Sequence, residues 1–327
     1  MTGGSRAVVA EPADELFSAL RLNQIQVVAT HNSYHLRPAP AMLKTAIAVR
    51  KDAKEWDYSR QPLDEQLDQG VRSFELDLHA SDEGWQVMHV PVFDFGTTVP
   101  TFAAALKVIA AWSAKHPKHV PISLLLELKE EGFQINRRTF RRPELKDLEQ
   151  LDTQIREVFS AERLLTPDDV RRQHETLLAA ITSDGWPALA EVAGKVFFIL
   201  HENGDNRAAY LEGHPALEGR AMFVESDLDA SHSAVLIRNN PTDPRIDELA
   251  RQGYLIRTRV DSQGHLDEAH RQRGLASGAH LLTTDYPAGE IEPARAFGFA
   301  DRAPARVNPV TGPEHSRGTL LAEPIGE

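Results

Sequence analysis

The segment at residues 74–78 carries two carboxylates within an apolar run, and no other feature constrains the fold as much. Side chains alternate between the two faces of a strand, so Glu75 and Asp77 share one face and the apolar residues share the other. Charges on the inner face of a buried strand are costly unless a partner compensates them. Carboxylate oxygens are preferred ligands of Ca²⁺ and Mg²⁺, so a hard cation is the expected partner. A salt-bridged strand face is the alternative.

Strand-like and helical segments alternate along most of the chain. We predict strands at residues 24–30, 74–79, 85–89, 121–129, 195–200, 221–225, 254–260 and 279–287. We predict helical segments at residues 63–70, 101–116, 145–159, 186–193, 245–252 and 266–277. The near-continuous apolar run at 121–129 is typical of a parallel strand that is covered on both faces. The alternation therefore predicts an α/β fold, namely a TIM-like (β/α)₈ barrel.

The length of the chain suits one such domain. It has 327 residues, 41% of them hydrophobic, and barrels of this size commonly form single domains. We expect one catalytic domain over residues 1–327, with its core at about 20–300 and a surface tail at 301–327 that is rich in proline, glycine and charge. The basic residues at 137–142 are expected in a solvated loop.

Composition excludes several classes of protein. The formal net charge of −12 argues against nucleic acid as a partner and against electrostatic docking on an anionic membrane. We expect a monomer that makes at most transient contact with a membrane surface. Cysteine is absent, which excludes disulfides, thiolate nucleophiles and sulfur-based zinc sites. No apolar run is long enough for a transmembrane helix, and no signal peptide is visible at the N-terminus.

Polar residues follow several of the predicted strands, where a parallel barrel places its active site. His31 and Asn32 come directly after the first strand, and His89 ends the hairpin partner of the second. Glu127 and Lys129 close the next strand and share one of its faces. A single histidine at a strand end is commonly a satisfied polar residue. The joint placement of these groups at successive strand ends favours one site.

The chemistry of this set is coherent. The oxygen donors suit Ca²⁺ or Mg²⁺ and not zinc or copper; they belong to Asn32, Glu75, Asp77 and Glu127. Histidines near such a metal suit general acid and base catalysis at neutral pH. Lys129 can neutralise a phosphoryl oxygen. Together these groups predict the cleavage of a phosphodiester, in which the metal activates a hydroxyl and offsets developing charge.

Four of these segments, taken in order, resemble the catalytic half of calcium-dependent phosphatidylinositol-specific phospholipase C, in particular its secreted bacterial and fungal members. They are Thr-His-Asn-Ser-Tyr at 30–34, Gly-Val-Arg-Ser-Phe-Glu-Leu-Asp at 70–77, Met-His at 88–89 and Leu-Glu at 126–127. The resemblance covers about residues 22–130. Weaker support comes from residues 254–259 and 283–287. The complete acidic set favours this branch over the calcium-independent one, which uses an arginine in place of the metal.

The resemblance implies a distorted barrel and a defined set of roles. It makes His31 and His89 the catalytic pair, with Glu75 as a possible base. The implied Ca²⁺ ligands, with Mg²⁺ the less favoured ion, are Asn32, Glu75, Asp77 and Glu127. In this family the inositol 2-hydroxyl attacks phosphorus and expels diacylglycerol, which leaves a cyclic phosphodiester. The implied substrate is a phosphoinositide or a soluble inositol phosphodiester. The implied location is secreted or periplasmic, and a cytoplasmic location stays open.

Two arginines on a later strand are candidate substrate contacts. Arg257 and Arg259 share one strand face with Asp261. If that face points into the barrel mouth, an arginine can contact the inositol or its phosphate. An Arg–Asp pair elsewhere in the barrel is the alternative.

Other functions remain compatible with the same residues. A glycerophosphodiester phosphodiesterase or a sphingomyelinase D-like lyase shares the barrel, the Glu-x-Asp pair and two histidines. These families usually have arginine or another residue in place of Asn32. A non-catalytic barrel that binds inositol phosphates or glycans belongs to a different class altogether, and turnover separates it from the enzymes.

Overall fold

The structure is a computed structural model that describes residues 13–135, 137–262 and 265–324. Its strands are β1 (Ile25–Thr30), β2 (Val71–Ser81), β3 (Gly84–Val87), β4 (Ile122–Lys129), β5 (Phe133–Ile135), β6 (Arg138–Arg141), β7 (Val196–Leu200), β8 (Met222–Val224), β9 (Val235–Ile237), β10 (Leu255–Arg259), β11 (Leu281–Thr284), β12 (Ala305–Val307) and β13 (Leu320–Leu321). Its helices are α1 (Ala13–Ala19), α2 (Pro40–Val49), α3 (Leu63–Asp68), α4 (Phe102–Lys115), α5 (Leu145–Val158), α6 (Pro167–Arg171), α7 (Leu177–Ser183), α8 (Leu189–Val192), α9 (Asp205–Leu211), α10 (Ile246–Arg251) and α11 (Glu268–Ala276).

Eight parallel strands form a nearly closed barrel. Their order around the sheet is β8-β7-β4-β2-β1-β11-β10-β9, and every neighbouring pair is parallel. The first and last strands of this order meet through a parallel bridge between Glu225 and Val235. The predicted (β/α)₈ barrel is therefore confirmed.

Local sequence explains why these elements form. The α4 helix begins at Thr101, whose Oγ1 accepts a hydrogen bond from the Ala104 N–H at 3.1 Å, and it ends before Pro117. Its Phe102 and Ile109 are fully buried against the sheet. The β7 strand is entirely apolar, and β4 is apolar from Leu124 to Leu126, because helices cover their outer face and the barrel interior covers the other.

One barrel strand was absent from the sequence-based prediction. The β9 strand has only three residues, Val-Leu-Ile, which is too short for a periodic signal. The segment is a strand because it pairs with β10, and this tertiary contact cannot be predicted from the local sequence.

Two predicted surface segments are ordered parts of the sheet. The basic residues expected in a loop form β6, which pairs with β5 and with the end of β2. The expected tail at 301–327 is wrong over its described part, because β12 pairs with β1 and buries Ala305 and Val307. Apolar residues spaced two apart allow this short segment to cover the base of the barrel.

Candidate active site

The end of β1 and the end of β11 bring a histidine and an aspartate together. Thr30 pairs with Thr284 in the sheet, so His31 and Asp285 follow side by side. His31 Nδ1 lies 2.8 Å from Asp285 Oδ1. The other ring nitrogen of His31, Nε2, lies 3.8 Å from Glu75 Oε1. His31 therefore bridges Asp285 and the carboxylates of the barrel interior.

Two arginines also contact the Asp285 carboxylate. Arg259 Nη2 lies 2.6 Å from Asp285 Oδ2, and Arg60 Nη2 lies 3.3 Å from Oδ1. Burial alone would raise the pKa of Asp285, but the attraction of His31, Arg259 and Arg60 outweighs burial and lowers that pKa. The carboxylate is thus ionised and can only accept hydrogen bonds. A neutral His31 must then carry its proton on Nδ1 and leave Nε2 free to accept one.

Glu75 lies inside the barrel and is paired with an arginine. Arg257 Nη2 lies 2.5 Å from Glu75 Oε2. Burial would raise the pKa of Glu75, but Arg257 above all, followed by His31, holds that pKa at about 2. Arg257, an expected substrate contact, is only 1% exposed and is engaged by this carboxylate.

Asp77 and Glu127 are direct neighbours on β2 and β4 and share a lysine. Lys129 Nζ lies 2.5 Å from Glu127 Oε1 and 3.0 Å from Asp77 Oδ2. Asp77 is 1% exposed, and burial raises its pKa to about 6 although Lys129 opposes the shift. Burial would lower the pKa of Lys129, but the two carboxylates outweigh it and raise that pKa, so the ammonium stays charged.

This interior fits a calcium ion. Ligand atoms of Glu75, Glu127 and His201 lie within 4.8 Å of one another. Asp77 Oδ1 is buried and has no hydrogen-bond donor among the described residues, whereas Asp77 Oδ2 has the Lys129 ammonium at 3.0 Å. A buried carboxylate oxygen without a donor is costly, and a bound cation removes that cost. A donor set dominated by carboxylate oxygen suits Ca²⁺, whose ligands are oxygens, better than zinc.

Asn32 enters the site through the turn after β1. Its φ of 46° lies in the left-handed region, which asparagine tolerates better than most residues. The next N–H, that of Ser33, donates to the Glu75 carbonyl at 3.0 Å, so the Asn32 backbone lies beside β2. The expected role of its side chain as a metal ligand stays a prediction.

His89 belongs to a second histidine–aspartate arrangement. Its Nδ1 lies 2.6 Å from Asp94 Oδ2, and His35 Nε2 approaches the same carboxylate at 2.8 and 2.9 Å. Burial lowers the pKa of His35, so this ring is neutral. Burial would raise the pKa of Asp94, but hydrogen bonds from His35 and His89 lower it. Asp94 is therefore a charged acceptor that two rings share, which explains their close approach.

Ring contacts connect the two histidine–aspartate arrangements. His35 stacks on Tyr58 with ring centroids 4.2 Å apart. The Arg60 guanidinium lies 4.5 Å from the centre of the same Tyr58 ring. Arg60 in turn contacts Asp285. The two predicted catalytic histidines thus lie at one end of the barrel, joined by a continuous row of packed side chains.

Sequence analysis missed several of these residues, which are His35, Arg60, Asp94, His201 and Asp285. Asp285 lies near the end of the predicted strand at 279–287, and His31 directly follows the first predicted strand, so the position of Asp285 was available as a signal. His201 directly follows β7 and offered the same signal. Arg60 and Asp94 lie in irregular segments, where no periodicity points to their partners.

Cavities lined by described residues lie on several sides of the site. One of about 600 Å³ is strongly acidic; its charged lining is Glu127, Glu130, Arg142, Glu202, Asp205 and Glu225. A groove of about 320 Å³ runs from Met88 past Val92 and Phe95 to Phe133. A third cavity of about 550 Å³ lies between Tyr58 and Asp285. The site therefore has an acidic side and an apolar side.

A parallel barrel whose mouth holds a carboxylate cluster and two histidine–aspartate arrangements defines a phosphodiesterase of the TIM-barrel class. The chain belongs to the family of phosphoinositide phospholipase C, Ca²⁺-dependent, whose profile matches residues 20–85 and 81–309. The resemblance, the enzyme class and the calcium dependence predicted from the sequence are confirmed at this level. Phosphoinositide phospholipase activity is what the family supports.

Solved structures share the fold. A calcium-dependent phosphoinositol-specific phospholipase C from a Gram-negative bacterium, Pseudomonas sp., is 21% identical, with a TM-score of 0.62 over 90% of this chain and 98% of that one. Its myoinositol complex is 19% identical, with a TM-score of 0.61 over 91% and 100%. A Ca²⁺-dependent phosphatidylinositol-specific phospholipase C from Streptomyces antibioticus is 21% identical, with a TM-score of 0.57 over 82% and 95%.

A sequence comparison with curated proteins finds no match. Within the described residues, no helix combines the length and the apolar character that crossing a membrane requires.

Proposed function

We propose that the chain cleaves phosphatidylinositol in a Ca²⁺-dependent reaction that releases diacylglycerol and a cyclic inositol phosphodiester. The observation that carries this proposal is the meeting of the Glu75–Asp77–Glu127 carboxylates with His31 at the barrel mouth. Asn32, Glu75, Asp77 and Glu127 are the proposed ligands. When bound, Ca²⁺ neutralises phosphoryl charge and makes the inositol 2-hydroxyl more acidic.

His31 is the proposed general base. Asp285 holds the proton on Nδ1, so Nε2 can accept the proton of the 2-hydroxyl as its oxygen attacks phosphorus. Glu75 is the weaker candidate for this role, because a carboxylate with a pKa of about 2 that is bound to Arg257 is a poor proton acceptor near neutral pH. We therefore assign Glu75 to the metal and Arg257 to the positioning of Glu75.

His89 is the proposed general acid. Asp94 binds its Nδ1, which leaves Nε2 as the nitrogen that can give a proton to the departing glycerol oxygen. The bond from phosphorus to that oxygen breaks while the bond to the 2-oxygen forms. Arg259 and Lys129 are the proposed contacts to the charged phosphoryl oxygens, because both side chains are partly exposed.

The acidic cavity favours a substrate whose inositol ring carries no phosphate other than the diester. Glu202 is half-buried there, and burial raises its pKa to about 7, but Glu130 and Glu225 keep the cavity negative. Extra phosphate groups on the inositol ring would be repelled by these carboxylates. Phosphatidylinositol is therefore favoured over its polyphosphorylated forms.

The apolar groove supports an intact lipid over a soluble diester. Phe95 is 55% exposed and Val92 is 45% exposed, in the loop that follows His89. Exposed apolar side chains next to a site mark an apolar ligand or surface. The departing diacylglycerol can bind here, and the loop can make transient contact with a lipid surface.

A substrate panel tests the proposal. With Ca²⁺ present, phosphatidylinositol should be cleaved faster than glycerophosphoinositol or phosphatidylinositol bisphosphate, and glycerophosphocholine and sphingomyelin should not be cleaved. Phe95→Ser should slow cleavage of vesicles but not of glycerophosphoinositol. Val49→Ser, at another exposed apolar position, is the matched control. Cleavage of glycerophosphocholine or sphingomyelin alone would establish one of the related lyase or phosphodiesterase activities instead.

A further inference from the structure

Lys129 lies at the position where the proposed metal ligands need a cation. Its ammonium is 2.5 Å from Glu127 Oε1 and 3.0 Å from Asp77 Oδ2, so it bridges two adjacent strands. Glu127 and Lys129 are two residues apart on β4, and the alternation of a strand directs both toward the interior. Lys129 thus has one contact to each of two carboxylates in the proposed calcium set.

An ammonium and a calcium ion that bind the same carboxylate oxygens compete with each other. Ca²⁺ needs its ligand oxygens at about 2.3–2.6 Å. An ion at that distance from Asp77 and Glu127 would be within a few ångströms of the ammonium, and the two like charges would repel each other strongly in this buried place. Calcium binding through Asp77 Oδ2 and Glu127 Oε1 therefore favours movement of the Lys129 ammonium away from them.

We propose that Lys129 is a tethered competitor of Ca²⁺, which binds Asp77 and Glu127 until the metal displaces it. The inference rests on the proposed calcium site. The competition weakens calcium binding and keeps the carboxylates compensated when the metal concentration is low. The displaced ammonium remains on β4 next to the mouth, where it can reach the phosphate of the substrate. Metal binding thus prepares a substrate contact.

Removal of the Lys129 charge should strengthen calcium binding, whereas substitution of a residue in a binding site usually weakens it. Lys129→Met keeps the length of the side chain and removes its charge. The metal then meets no competitor. In the calcium-free protein, the buried Asp77 carboxylate also lacks the positive charge that Lys129 supplied. Both effects favour the bound state. Lys129→Arg keeps the charge and should bind Ca²⁺ about as the wild type does.

Calorimetric titration with CaCl₂ in the absence of substrate measures this directly. We expect the Kd of Lys129→Met to be at least about tenfold lower than that of the wild type. The rise in Tm at saturating Ca²⁺ should also be larger for this variant. Lys195→Met is the control, because its ammonium donates to the Ala161 and Leu164 carbonyls at the amino end of β7. Its Kd should not change.

The outcomes separate the inference from the proposed function. An unchanged or higher Kd for Lys129→Met, with tight calcium binding by the wild type, overturns the competition and leaves the calcium site intact. A calcium Kd that Asp77→Asn leaves unaltered overturns the site itself and the inference with it. A lower Kd for both Lys129→Met and Lys195→Met would mean that the net charge of the protein, and not the position of Lys129, sets the affinity for calcium. That result also overturns the inference.

Discussion

Arg257 Nη2 lies 2.5 Å from Glu75 Oε2 in the interior of the barrel. The two residues stand on β10 and β2, which are separated in the sheet by β11 and β1, so the contact spans the interior. Arg257 also donates to Thr283 Oγ1 at 2.9 Å. A buried carboxylate proposed to hold Ca²⁺ is thus oriented by a buried arginine.

Removing this arginine should destabilise the fold. Arg257→Met leaves Glu75 as a buried charge without its guanidinium partner, and such a loss costs about 3–5 kcal/mol of unfolding free energy. The double variant Glu75→Gln/Arg257→Met removes both charges and should be more stable than Arg257→Met alone. Urea denaturation measures both. The control is Arg245→Met, whose exposed pair with Asp243 should contribute at most about 1 kcal/mol. Equal stability of Arg257→Met and the control would contradict the account.

Asp285→Asn should lower kcat by about 10²–10⁴-fold, because a neutral amide, which can also present its NH₂ group, holds the Nδ1 proton of His31 less well than a carboxylate does. His31→Ala should have a loss of similar size, and the double variant should lose little more, since the residues act as a unit. Steady-state kinetics on phosphatidylinositol give these values. Asp184→Asn, at an exposed pair with His174, serves as the control. Additive losses in the double variant would mean that Asp285 acts independently of His31.

Substitution of Asp94 should lower kcat more than substitution of His35. Asp94→Asn removes the negative charge and one of the two oxygens that His89 and His35 share, so kcat should fall nearly as far as in His89→Ala, by about 10²–10⁴-fold. His35→Phe preserves a ring against Tyr58 and removes only one hydrogen bond to Asp94, so its loss should be smaller. His116→Phe, at a partly exposed ring that stacks on Trp112, is the control. A greater loss for His35→Phe than for Asp94→Asn would contradict the assigned order.

Stability should fall in mild acid because of a buried histidine. Burial lowers the pKa of His280 to about 4 from the ordinary value of 6.5, although its ring bonds the Asn23 carbonyl. Between these values the unfolded chain binds more protons than the folded one, so the free energy of unfolding decreases as pH falls from 6.5 toward 4.

Urea denaturation of His280→Gln at pH 7 and pH 4.5 tests this point. The wild type should lose about 2 kcal/mol more than the variant between these two conditions. Gln retains a donor for Asn23 but does not titrate. Buried His79, whose pKa burial also lowers to about 4, remains in both proteins, so the variant should keep part of the acid sensitivity. Identical losses would show that His280 does not contribute.

Much of the barrel could be predicted because its signals are local. The apolar run of β4 indicates a strand, and the capping residue of α4 indicates a helix, each within a few residues of sequence. The Glu-x-Asp alternation on β2 likewise placed Glu75 and Asp77 on one inner face. The β9 strand could not be found in this way, since three residues carry no period and only its neighbours make it a strand.

The partners of the site residues were the harder part. A strand pattern gives the face of a side chain, but the contact between Arg257 and Glu75 depends on how the barrel closes. Lys129 was expected to contact substrate from its place at a strand end; its contact to Asp77 depends on the register of β2 with β4. Register follows from packing across strands, which one segment does not encode.

Product analysis of phosphatidylinositol cleavage, followed by ³¹P NMR with Ca²⁺ and with excess chelator, tests the central claim most directly. With Ca²⁺ we expect a cyclic inositol phosphodiester to appear together with diacylglycerol, and with chelator we expect neither. His31→Ala should behave in Ca²⁺ as the wild type does in chelator. Full turnover in excess chelator, or phosphatidic acid in place of diacylglycerol, would contradict the account.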